Sequence, residues 1–136
     1  MKNEKSEGVR SHNDLEVWMR AKALVVLIYK ITRDFPKVEI YGLCSQLRRA
    51  SVSVPTNIAE GFGRKHLKEL IHFLYYSQGS LSEIETLIII SYELGYISQE
   101  TETEIILDIK IIRIMLTRLI RSLEKPGNYP AKSVTS

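Results

Sequence analysis

The stretch SVSVPTNIAEGFGRK, Ser51–Lys65, decides how the chain is read. It interrupts an apolar helical pattern with a proline, an asparagine near the apolar stripe, a Gly-x-Gly break and two cations. Three structures compete for it: a catalytic loop, a phosphate cradle and a helix that runs through its proline. The phosphate cradle lacks the preceding strand, the third glycine and the Lys-Ser/Thr ending that such loops need for backbone N–H groups to surround a phosphate. No base or nucleophile stands beside Asn57 to make a catalytic loop. The apolar spacing continues through Pro55, so a kinked helix is expected. Its proline removes one hydrogen bond and crowds the Ser51 carbonyl, at a cost of about 3 kcal/mol. Asn57 and Glu60 lie at the margin of the stripe. Asn57 is expected to bond backbone or a second subunit, because buried polar groups are paired. Gly61 and Gly63 read as the helix exit, glycines there permitting positive φ.

Working outward, the periodicity predicts four helices and no strand. The first spans about Leu15–Asp34, with Asp14 as N-cap, Leu15, Trp18, Val25, Ile28 and Ile31 as its stripe, and Pro36 as its stop. The second spans about Leu43–Ala59 on Leu43, Leu47, Ala50, Val54 and Ile58. The third spans about Leu67–Leu94 and stops at Gly95. The fourth spans about Gln99–Lys125, with Ser98 as cap and Glu100, Glu102 and Glu104 suiting its positive N-terminal end. Short links between long helices predict an all-α, antiparallel up-down four-helix bundle over residues 14–125. Residues 1–13 read as a disordered arm and 126–136 as a flexible tail.

The fourth helix carries two apolar stripes. Ile105, Ile109, Ile112, Leu116, Leu119 and Leu123 alternate steps of four and three, enough for one bundle core. Leu107, Ile111 and Ile114 lie on the opposite side, where a small monomeric bundle should be polar. A homo-oligomer is therefore expected, with those three residues, Asn57 and Glu60 as candidate interface positions.

The chain has 136 residues, one domain's worth, with a net charge of +3. That charge allows a local nucleic-acid patch without demanding one. A single cysteine, Cys44, rules out an internal disulfide and a cysteine-based zinc site. The first residues lack an apolar h-region, and no apolar run approaches the ~20 residues that cross a bilayer. A cytoplasmic location with no membrane partner is the expectation.

No enzyme is expected. Glu69-Leu70-Ile71-His72 is a Glu-x-x-His, but a di-iron bundle needs two such motifs, and neither His12 nor His66 supplies the second. Ser77, Ser80 and Ser82 have no activating context. The spacings from Arg64 to His66 and His72 do not match the helical ribonuclease pattern. No metal or cofactor is implied. The cations are more suggestive. Lys110, Arg113 and Arg121 share one side of the fourth helix, with Arg118 and Lys125 nearby. Arg48 and Arg49 sit on the second helix, and Arg64, Lys65 and Lys68 cluster at the corner after it. Repeated around an oligomer, such cations form a surface able to hold phosphates, beside Tyr75 and Tyr76, which offer stacking faces.

The segments DLEVWMRAKALVVLIYKITRDFP, YGLCSQLRRASVSVPTNIAEGFGRK and FLYYSQGSLSEIETLIIISYELGYI together resemble the bacterial four-helix bundle proteins encoded in intervening sequences of 23S rRNA genes, sometimes labelled S23 ribosomal proteins. RRASVSVPTNIAEGFGR is the most specific part, and the resemblance runs from Asp14 to about Leu123. It implies a homopentamer of four-helix bundles without catalysis. The chain is also similar to the accessory proteins of diversity-generating retroelements, pentamers that bind nucleic acid and a reverse transcriptase, which implies a nucleic acid or a protein as partner; rRNA is the nucleic acid expected from the first resemblance. His66 departs from the family at the start of the third helix, where a capping residue is usual.

Overall fold

The computed structural model describes residues 12–128. Both predicted terminal segments fall mostly outside that range. Four α-helices account for most of the described chain: α1 His12–Thr32, α2 Leu43–Phe62, α3 Leu67–Glu93 and α4 Gln99–Glu124. Short 3-10 turns cover Lys37–Glu39 and Pro126–Asn128, and no strand occurs among the described residues. Each helix packs on the next, and α4 closes the ring on α1. Tyr75 meets Glu124 and Glu85 meets Arg113 between α3 and α4. Val54 meets Ser77 between α2 and α3.

The α1 stripe differs from the predicted one. The residues that reach the core are Val17, Ala21, Leu24 and Ile28, all at most 1 % exposed. Leu15 is exposed, and Trp18, Val25 and Ile31 are half-buried. The helix is apolar over most of its circumference, so residue type alone does not select a face; the observed set falls within a narrow arc at 100° per residue. Asp14 is not the cap: the helix already begins at His12, and Asp14 is buried in its first turn.

In α4 the predicted seam holds except at one position. Ile120 is 3 % exposed and takes the place expected for Leu119, which is half-buried. The two flank the seam at similar angles. Ile120 lies on the side of Thr117, which faces α3 through Gln78. Because α4 packs more extensively on α3 than on α1, the α3-side residue is the better covered.

Pro55 is buried inside α2, which continues through it to Phe62. The polar groups around it are satisfied largely across the α2–α3 contact. Ser77 Oγ donates to the Val54 carbonyl at 2.8 Å. The Ser53 and Ser80 hydroxyls bond each other, and Asn57 Nδ2 donates to the Ser53 carbonyl at 2.7 Å. Of the three serines without an activating context, Ser77 and Ser80 bond to α2, and Ser82 accepts from Arg113.

The predicted exit falls where expected, with Gly63 as the C-cap of α2, but the positive φ expected there does not occur. Gly95 is the only glycine with positive φ among the described residues, so neither Gly61 nor Gly63 adopts the left-handed conformation. Gly61 lies inside α2 because α3 passes too close for a side chain. A Cβ there would stand 3.0 Å from Leu70 Cδ1 and Phe73 Cβ and 3.2 Å from the Leu70 carbonyl oxygen. Gly95, at φ 82°, closes α3 as expected: Tyr96 N–H reaches the Ser91 carbonyl and Gly95 N–H the Tyr92 carbonyl, each at 2.9 Å. Ser98 caps α4 by accepting from Thr101 N–H at 3.1 Å, whereas His66 makes no side-chain cap for α3.

Candidate nucleic-acid and assembly surfaces

The candidate cations separate into those held within the chain and those left to solvent. Arg113 turns toward α3, where it donates to Glu85 Oε1 at 2.9 Å. It therefore does not share the outer side of α4 with Lys110 and Arg121, which are exposed along with Arg118. Its position is roughly 60–80° round the helix from theirs, toward α3, and Glu85 is within reach there. Arg64 pairs with Glu60 at 2.8 Å and lies over the Phe73 ring at 4.9 Å. Exposed pairs of this kind contribute little to stability, so Arg64 can exchange its partner for a phosphate at small cost. Lys65, Lys68 and Arg49 are exposed.

Arg48 sits in a more elaborate setting. Its Nε donates to Thr32 Oγ1 at 2.9 Å, and its guanidinium lies 4.8 Å from the centre of the Tyr29 ring. Thr32 is buried and also donates to the Ile28 carbonyl at 2.7 Å, so the arginine is anchored to the end of α1. Beside it runs a groove of about 410 Å³ lined by Tyr29, Arg48, Lys30, Arg33, Val25 and Val26. Lys30 and Arg33 were not among the sequence candidates. Their three-residue spacing on one helix is visible in the sequence, but their nearness to Arg48 needs the α1–α2 pairing. The candidates do not form one patch: Arg64, Lys65 and Lys68 occupy the α2–α3 corner, while Arg48 lies toward the opposite end of α2.

The outer face of α4 carries the three apolar residues read from the sequence, interleaved with Lys110, Arg118 and Arg121. Leu107 is 55 % and Ile114 44 % exposed, and Ile111 is half-buried. A second such face, missed in the sequence, lies on α1: Leu15, Met19, Val26 and Tyr29 are exposed. Asn57 and Glu60 do not join the α4 face, since α2 and α4 are not neighbours in the ring. Asn57 is half-buried and bonded to its own helix, and Glu60 is exposed.

Glu39 links two loops. Its Oε1 accepts from Leu43 N–H at 3.1 Å at the start of α2, and its Oε2 accepts from Tyr96 OH at 2.9 Å. That bond holds the Tyr96 phenol above its ordinary pKa, because ionisation would remove the donor and place two anions together. Burial, which penalises the charged thiolate, pushes the Cys44 thiol up. No group of three or more potential metal ligands occurs among the described residues. No helix among them is long and apolar enough to cross a membrane.

No curated protein matches the chain. The family model described as 23S rRNA-intervening sequence protein matches residues 13–118, from the first turn of α1 to the last turns of α4, and takes in the proline-bearing α2 and the glycine corner. With four helices in the predicted order and a match over most of its length, the chain belongs to the 23S rRNA-intervening sequence protein family.

Proposed function

We propose that this chain is a non-catalytic, cytoplasmic nucleic-acid-binding protein, built as an antiparallel up-down bundle with a kinked α2 and acting as a homo-oligomer. The observation that carries the reading is the groove beside Arg48. It is concave, edged by Lys30, Arg33 and Arg48, and has the Tyr29 ring in its wall. Cations neutralise phosphates, and an aromatic ring or a guanidinium plane accepts a stacked base. Structured RNA, rRNA included, or DNA is the ligand class. Arg49, Arg64, Lys65 and Lys68 supply further phosphate contacts on the same molecule, and Lys110, Arg118 and Arg121, which share the outer side of α4 with Leu107, Ile111 and Ile114, do so only where the assembly leaves them at its rim. Arg113 contributes only if it leaves Glu85.

Self-association uses the outer face of α4, where Leu107, Ile111 and Ile114 supply apolar area. The family resemblance implies five copies. Repetition of the groove around a ring multiplies weak single-site binding.

A gel shift with 23S rRNA fragments at ~50 mM salt, where phosphate contacts are strongest, tests the binding. Binding is expected, weakening as salt rises, and the Lys30→Gln/Arg33→Gln double variant should flatten the salt dependence by up to about 0.9 per cation removed for duplex. Absence of a shift at that salt refutes the nucleic-acid reading. A second reading, a scaffold for a protein partner, is favoured by one feature: Val38, Ile40 and Tyr41 between α1 and α2 are 82 %, 50 % and 95 % exposed. Partners that survive nuclease treatment and are lost on Tyr41→Ser would select it.

A further inference from the structure

The groove beside Arg48 carries two kinds of lining, and only one form of nucleic acid uses both. We infer that it takes an unpaired nucleotide, with the base stacked on the Arg48 guanidinium and the phosphate held by Lys30 and Arg33. This rests on the nucleic-acid reading of the same groove and narrows its ligand to bases outside a duplex.

The charge around the groove points to an anion. Lys30, Arg33 and Arg48 form no ion pair among the described residues, whereas Arg20, Arg64 and Arg113 each meet a glutamate. No carboxylate lines the groove. Cations of one sign around a concavity focus their field into it, which favours a phosphate. The groove follows α1 from Val25 to Arg33, about 12 Å of helix axis.

A phosphate alone leaves the rest of the lining unused. Val25, Val26 and the Tyr29 ring offer apolar and aromatic surface, with Val26 and Tyr29 exposed. In a duplex the base faces are stacked on one another, and only phosphate, sugar and base edges reach a protein. An unpaired base presents a free face that such surface complements. The volume of about 410 Å³ is that of a small-ligand site.

Arg48 supplies the stacking plane. Its guanidinium already lies 4.8 Å from the centre of the Tyr29 ring, so a stacked base extends a contact that is formed in the free protein. Its Nε is held by Thr32 Oγ1 at 2.9 Å, and buried Thr32 is tied in turn to the Ile28 carbonyl. The plane is therefore set before a ligand arrives, and less side-chain freedom is lost on binding. The Arg48 Nη groups make no hydrogen bond among the described residues, which leaves them for a base edge or a phosphate oxygen.

Fluorescence anisotropy of a labelled single strand of about 10 nucleotides, and of its duplex with the complement, tests this on the full chain at one salt concentration. The strand is made as RNA and as DNA to separate the two sources. Tighter binding of the single strand than of the duplex in either supports the inference. Arg48→Lys keeps the charge and removes the plane. It should lower single-strand affinity about tenfold and duplex affinity much less. If Arg48→Lys lowers helix content by circular dichroism, Tyr29→Leu decides, because that side chain lies outside the core. Lys30→Gln/Arg33→Gln should weaken both forms together, since phosphates are common to both. Equal affinity of the native chain for the two forms overturns the inference, as does a loss in Arg48→Lys that is the same for both. Polyglutamate displacing the single strand as readily as an unlabelled strand also overturns it, because the groove would then read charge alone. Duplex binding with no preference for the single strand removes only this inference, whereas no binding to either form removes the nucleic-acid reading as well.

Discussion

Two glycine-to-alanine substitutions, at Gly61 and Gly79, should move stability in opposite directions. Both residues lie within helices, α2 and α3 respectively. Alanine in a helix interior is favoured over glycine by about 0.8–1 kcal/mol, because glycine loses more backbone freedom on folding. At Gly79 nothing lies within 4 Å of the added methyl, so Gly79→Ala should realise most of that gain. At Gly61 the methyl meets Leu70 Cδ1 and Phe73 Cβ at 3.0 Å and the Leu70 carbonyl oxygen at 3.2 Å. The leucine tip can rotate away. The phenylalanine Cβ and the carbonyl cannot, because both are fixed to the α3 backbone. The helices must separate by a few tenths of an ångström, which disturbs the serine bonds one to two turns away. Overpacking of this kind costs about 1–3 kcal/mol, so after the helix gain Gly61→Ala should lose on the order of 1 kcal/mol. Urea unfolding at one fixed protein concentration, with unchanged slope, measures both values. In melting temperature the two variants should differ by about 4–8 °C. If Gly61→Ala stabilises as much as Gly79→Ala, the close α2–α3 approach is refuted.

Glu39→Ala should lose about 1–2 kcal/mol by removing the bond to Leu43 N–H and the Tyr96 bond together, and Ser98→Ala about 1 kcal/mol by removing the α4 cap; chemical denaturation measures both. Stability should decline at alkaline pH. The Tyr96 and Cys44 pKa values are raised in the folded state, so their contributions are complete below the unfolded values of about 10 and 8.5. These contributions are lost as pH rises through the higher folded values. Tyr96→Phe should remove the tyrosine part of that decline in a pH series of melting curves. Leu107→Glu/Ile114→Glu should reduce the mass seen by sedimentation while leaving helix content intact, because both side chains lie outside the core; an unchanged mass removes this face from the assembly.

Periodicity, stop residues and one serine cap were enough to read four helices in the right order. The α2 stripe was legible because its apolar residues, Leu43, Leu47, Ala50, Val54 and Ile58, are few and closely aligned; all five are buried. The α1 stripe was not, because apolar residues surround that helix and only contact with α2 and α4 selects Val17, Ala21 and Leu24. The exposed apolar face of α4 was visible as residues with no second core to enter. The cationic groove was half-visible: Arg48 stood out, but Lys30 and Arg33 become its neighbours only when α1 pairs with α2.

The sequence by itself determined what short-range forces control. These are where backbone hydrogen bonding starts and stops, as at Ser98 and Gly95, and that the chain buries helix faces against one another. Tertiary structure alone decided matters that depend on what stands across a helix interface. Gly61 is a glycine for closeness and not for positive φ, because Leu70 and Phe73 of α3 stand where a side chain would go. Arg113 pairs with Glu85 across the α3–α4 contact, and Glu39 joins Leu43 to Tyr96, 57 residues from the carboxylate. Local preference is encoded within a few residues, whereas packing and charge pairing depend on distances through space that no spacing along the chain records.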